Sequence, residues 1–85
     1  MISKLVIVTR EDGIDASNIA QLVQRACKYE STIYLQTGTV KVNAKSIMGM
    51  MNMGIKQGGE VRVIAEGADE TAAVNELSEY IASHE

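Results

Sequence analysis

Residues 31–43, STIYLQTGTVKVN, decide the architecture. Two short runs, STIYLQT (31–37) and TVKVN (39–43), alternate apolar and polar residues on either side of Gly38. Alternation with a period of two is the mark of a half-buried strand, and a glycine between two such runs predicts a tight hairpin. At least part of the sheet is therefore antiparallel.

On the N-terminal side, SKLVIVT (3–9) is compact and β-branched, which predicts a strand followed by the turn REDG (10–13). Residues 16–28 place Ile19, Leu22, Val23, Ala26 and Cys27 on one helical stripe, with Asp15 in the N-cap position. On the C-terminal side, residues 45–59 predict a short helix capped by Ser46 and ended by Gly54 or the pair Gly58-Gly59. EVRVIAE (60–66) predicts a fourth strand. Gly67-Ala68-Asp69 then starts a last helix with the stripe Ala73, Val74, Leu77, Tyr80 and Ile81. The order is βαββαβα. Four strands and three helices in 85 residues leave one economical arrangement, a single sheet with the two longer helices over one face. The open face should carry polar alternates such as Lys41 and Arg62. The fold class is α+β, an open-faced sandwich.

Eighty-five residues make one domain, 1–85, with one modest core. Hydrophobic residues at 46% and charged residues at 22% are an ordinary globular balance, which excludes a disordered chain. The net charge of −3 and eight scattered basic residues give no footprint for nucleic acid. The lone Cys27 cannot form an internal disulfide, in keeping with a reducing cytoplasm. The N-terminal apolar run is too short for a signal peptide or a membrane span, so a cytoplasmic location is expected.

Catalytic constellations are nearly absent. The only histidine, His84, is penultimate and expected to fray, so no histidine-based catalysis and no metal or cofactor site is expected. Cys27 lies on the helical stripe, where small apolar packing is its expected role. Glu76, Glu79 and Glu85 read as a solvated helix face. Two helix starts remain. GIDASN (13–18) brings Asp15, Ser17 and Asn18 to a helix N-terminus, where anions bind when the residues are right. There Asp15 is either a plain N-cap or, less favourably, an acyl-phosphate acceptor. Ser46 is either a bare cap worth about 1 kcal/mol or a phosphorylation site at a helix start. Four methionines within residues 47–53 cannot all be buried by a short helix; some core-fill and some present an adaptable, partner-binding surface.

VNAKSIMG (42–49) resembles the regulatory-serine segment of HPr, the histidine-containing phosphocarrier family of the bacterial sugar phosphotransferase system. Leu22-Val23-Gln24, Gly67-Ala68-Asp69-Glu70 and the element order agree with it over essentially the whole chain. The resemblance implies a four-stranded antiparallel sheet with three helices on one face. It departs at the first helix, where the family carries Gly-Ile-His-Ala-Arg-Pro and this chain has Gly13-Ile14-Asp15-Ala16-Ser17-Asn18. Asp15 and Ser17 thus stand where the phosphoryl-carrying histidine and its supporting arginine would be. The chain is in this respect similar to the Crh-type members, which also lack the histidine and keep the serine. The resemblance implies a non-enzymatic regulator phosphorylated on Ser46 by the ATP-dependent HPr kinase/phosphorylase. It implies that the modified form binds a LacI-family catabolite control regulator, with Ile47, Met48 and Met51 docking beside Ala20 and Gln24 of the first helix. A phosphocarrier using Asp15, or an unmodified paralogue with a specialised partner, are the alternatives. An exposed sheet edge makes a monomer or a weak or swapped dimer the expected state.

Overall fold

The computed structural model describes residues 1–8, 15–56 and 58–82. Seven elements follow in the expected order: β1 (Ile2–Ile7), α1 (Ala16–Cys27), β2 (Thr32–Thr37), β3 (Val40–Asn43), α2 (Ile47–Met51), β4 (Glu60–Glu66) and α3 (Glu70–Ala82). One sheet runs in the order β1-β4-β2-β3, antiparallel at every pairing. The hairpin between β2 and β3 closes through Gly38-Thr39, and Gly38 has the positive φ of 58° that a mirror-image two-residue turn needs.

Register follows from alternation. Ile33 lies opposite Ala65 and Leu35 opposite Val63, so the buried residues of β2 and β4 share one face. A slip of one residue would turn that whole apolar set to solvent. The alternates Lys41 and Arg62 are exposed, and the Lys41 ammonium lies 4.6 Å from the Tyr34 ring centre. On the covered face, Ile19, Leu22, Val23 and Ala26 of α1 and Ala73, Val74, Leu77 and Ile81 of α3 join one core with the strands. Helix α2 packs on α1 and β3 and contributes Met50, fully buried.

Strand and helix ends shift by one or two residues from the sequence reading, β1 spanning Ile2–Ile7, and two differences matter more. Helix α2 ends at Met51, before the glycines. Asn52 and Met53 donate to the Gly49 and Met50 carbonyls, tightening the last turn to three-residue bonds, and Gly54 turns the chain away with φ 64°. Cys27 is exposed, not packed. It is the last residue of α1 and, at about 100° per residue, lies some 80° around the helix from Ile19, on the margin of the stripe. The REDG turn, His84 and Glu85 lie outside the described residues.

Candidate functional site

The turn that delivers Ser46 is built by its own polar residues. The Asn43 side-chain oxygen accepts the Lys45 N–H at 2.8 Å, and the Asn43 carbonyl accepts the Ser46 N–H at 3.0 Å. An asparagine that mimics a backbone turn in this way folds the chain sharply out of β3. Ser46 then caps α2, its Oγ accepting the Gly49 N–H at 3.3 Å while its carbonyl accepts from Met50 N. Its side chain is exposed. A Cβ at Gly49 would stand 3.5 Å from Ser46 Oγ, so glycine leaves the flank of the hydroxyl open.

Exposed apolar side chains follow Ser46 directly, while others, Leu5, Ile7 and Val40, lie on the strands. Met48 is 79% exposed, Met51 54% and Ile47 48%, whereas Met50 and Met53 are buried. The four methionines thus divide evenly between core and surface, as a one-and-a-half-turn helix dictates. α1, which packs on α2, carries Gln24 exposed and Ala20 half-buried.

The α1 start is built differently. Asp15 is the N-cap, with extended backbone, and its Oδ1 accepts the Asn18 N–H at 2.9 Å. The side-chain oxygen of Asn18 in turn accepts the Tyr80 hydroxyl at 2.9 Å, tying this helix start to α3. Asp15 and Ser17 are exposed. Thr9 to Ile14 lie outside the described residues, Gly13 and Ile14 among them. No group of three or more metal-ligating side chains occurs among the described residues.

Sequence patterning missed two polar clusters. Glu76, read as a solvated residue, holds Arg25 at 3.0 Å, Lys28 at 3.0 Å and the Tyr29 hydroxyl. The Tyr29 hydroxyl bond, with help from Lys28 and Arg25, lowers the Glu76 pKa from its usual value. The same bond pushes the Tyr29 phenol up to about 12. Arg25 also stacks 4.5 Å from the Tyr80 ring centre. The second cluster is Asp69, which accepts from the Ser31 hydroxyl and from the backbone N–H groups of Glu30 and Ser31. These bonds, the Ser31 hydroxyl first, lower its pKa. Partners 38 to 51 residues apart leave no periodic trace in a sequence.

The family model for the PTS HPr component phosphorylation site matches residues 2–83. The chain belongs to the HPr family. It is 40% identical to the HPr-like protein Crh of Bacillus subtilis over 81 residues, 95% of each chain. Among solved structures, HPr-C-His from Thermoanaerobacter tengcongensis superposes with a TM-score of 0.90 at 40% identity, covering 95% of this chain and 91% of that one. The crystal structure of B. subtilis Crh, a dimer formed by a swapping domain, matches with a TM-score of 0.79 at 38% identity over 100% of this chain and 98% of that one. The HPr frame, an antiparallel four-stranded open sheet with three helices, is therefore shared. No helix among the described residues is long and apolar enough to cross a membrane.

Proposed function

We propose that this HPr-family chain is a non-enzymatic regulatory protein switched by phosphorylation of Ser46 by an HPr kinase/phosphorylase. In this reading the phosphorylated form acts in carbon catabolite regulation through a LacI-family regulator, and the chain does not carry phosphoryl groups on histidine. The observation that carries the reading is the Ser46 hydroxyl itself. It is exposed, uncrowded by Gly49 and followed on the same short helix by the exposed side chains of Ile47, Met48 and Met51.

Phosphorylation there adds roughly 1.5 to 2 negative charges and three acceptor oxygens at a helix start. Such a group is compatible with the cap, because it sits at the positive end of the α2 peptide dipoles. Flexible thioethers and an isoleucine beside it supply adaptable apolar contact, while the phosphate supplies charge. Gln24 and Ala20 on the neighbouring α1 extend that surface. At the α1 start, Asp15 supports no competing role. Its carboxylate is engaged by Asn18 N–H, it brings negative charge before an incoming phosphate, and Ser17 offers no cation to offset it.

The test is incubation with the kinase and ATP, followed by peptide mass spectrometry. One phosphate on Ser46, lost in Ser46→Ala and retained in Asp15→Ala, is expected. An unmodified Ser46 overturns the reading. So does labelling from phosphoenolpyruvate and the general phosphotransferase enzyme that disappears in Asp15→Ala.

A further inference from the structure

Between the two halves of the proposed docking surface runs one cross-link. The Lys45 ammonium donates to the Tyr29 carbonyl at 2.7 Å, across 16 residues of sequence. Tyr29 follows the end of α1, its own N–H bonded to the Ala26 carbonyl. Tyr29 stands one residue past the Lys28 C-cap, close to the negative end of the α1 peptide dipoles, where a cation is favoured. Lys45 is half-buried, its backbone N–H held by Asn43, and it immediately precedes Ser46. The Tyr29 side chain is in turn clamped to Glu76 of α3. One side chain thus fastens the residue before Ser46 to an end of α1 that is itself anchored.

We infer that Lys45 is a positioning residue: its bond to the Tyr29 carbonyl fixes the Ser46 segment relative to the Gln24-bearing face of α1, so that a partner meets both at once. This rests on the reading that Ser46 and the two helices form one recognition surface. α2 has only five residues, and the core holds its segment through the apolar side chains of Ala44, Met50 and Met53. The lysine adds to these non-directional contacts a directional bond that ends just past α1, and such a bond fixes an angle that apolar packing leaves softer. The bond occupies one of the ammonium's three donors, and residual dipolar couplings separate its geometric part from its charge.

The experiment uses the full chain with Lys45→Met, which keeps the apolar stem and removes the donor, and Lys45→Arg, which restores one. Residual dipolar couplings of the amides report the orientation of residues 43–53 against α1. In Lys45→Met the two groups should cease to fit the wild-type arrangement. The kinase KM for the protein should rise about tenfold with kcat changed less than about twofold, as loss of docking alone requires. Lys45→Arg should recover most of both. Unchanged couplings in Lys45→Met overturn the inference. An unchanged KM for Lys45→Met, where the wild-type chain is phosphorylated, does so too. If wild-type Ser46 accepts no phosphate, the proposed function falls, and the couplings still decide Lys45.

Discussion

At the start of α1 the Asp15 carboxylate accepts the Asn18 N–H at 2.9 Å, and at the start of α2 the Ser46 hydroxyl accepts the Gly49 N–H at 3.3 Å. The two bonds share a pattern, each spanning three residues and each satisfying one orphan donor, although the carboxylate makes the shorter one. What differs is the residue that donates. Asn18 has a side chain, and that side chain receives the Tyr80 hydroxyl, so the α1 start is sewn to α3. Gly49 has none, so the α2 start is left open beside a rim of exposed apolar side chains. A cap becomes chemically addressable through the space around it, not through the cap bond.

The sequence resemblance to HPr implies more than one departure at the α1 start, and the cap links them. An aspartate cap needs an N–H three residues on, and the proline of the HPr motif has none to give. Asp15 and Asn18 therefore fit each other, one as acceptor and the other as donor.

Asn18→Pro should break the α1 side of this comparison most severely. It removes the donor to Asp15 and the acceptor for Tyr80 together, at a cost of about 1–3 kcal/mol in urea unfolding. Asn18→Ala, which keeps the N–H, should cost less. Equal losses would show that the Asp15 bond contributes nothing.

The far end of α1 gives the next effect, read in pH. Glu76 has a lowered pKa in the folded chain, so the stability it contributes is present above its unfolded value near 4.5 and is lost as pH falls through the folded value. Tyr29 is raised, so its contribution is complete below 10 and is lost as pH climbs from there to about 12. Urea midpoints against pH should fall on both limbs in the wild type; Glu76→Gln should flatten the alkaline limb and reduce the acid one, where Asp69 still contributes. Ultraviolet titration of the phenols should show one late tyrosine in the wild type only.

Gly49→Ala should have the smallest effect on folding and the most informative one on chemistry. The new Cβ meets Ser46 Oγ and Val42 Cβ at 3.5 Å, ordinary contact distance. Alanine should raise stability by at most about 1 kcal/mol, while the initial rate of Ser46 phosphorylation falls because a methyl group now flanks the hydroxyl. A loss of stability would instead make Gly49 a requirement of the fold.

Local patterns carried the fold well. β4 spans Glu60–Glu66 as read, Asp15 and Ser46 are the caps their positions predicted, and alternation about Gly38 placed the hairpin. Each of these is written in a few neighbouring residues. The misreadings arose where the deciding neighbour is remote or the helix is ending. Glu76 looked solvated because α3 alone offers it no partner, whereas Arg25, Lys28 and Tyr29 reach it from the end of α1. Lys45 gave no signal because its acceptor is a backbone carbonyl, which every residue possesses. Asp69 passed for a helix-starting residue, yet its carboxylate serves the loop before β2.

That loop carries a consequence for the chain's capacity to vary. Gly67 has φ 153°, and a Cβ on it would stand 2.7 Å from both the Ser31 Cα and its hydroxyl oxygen. Ser31 is buried, and its hydroxyl has Asp69 as acceptor. A side chain at 67 would push Ser31 off Asp69, and the loss of Asp69 would strand a buried hydroxyl beneath a glycine shaped around it. Positions 31, 67 and 69 therefore form a unit of inheritance that can drift only as a set. The exposed methionines of α2 are under no such bond, so new partner preferences can be sampled there while the frame stays fixed.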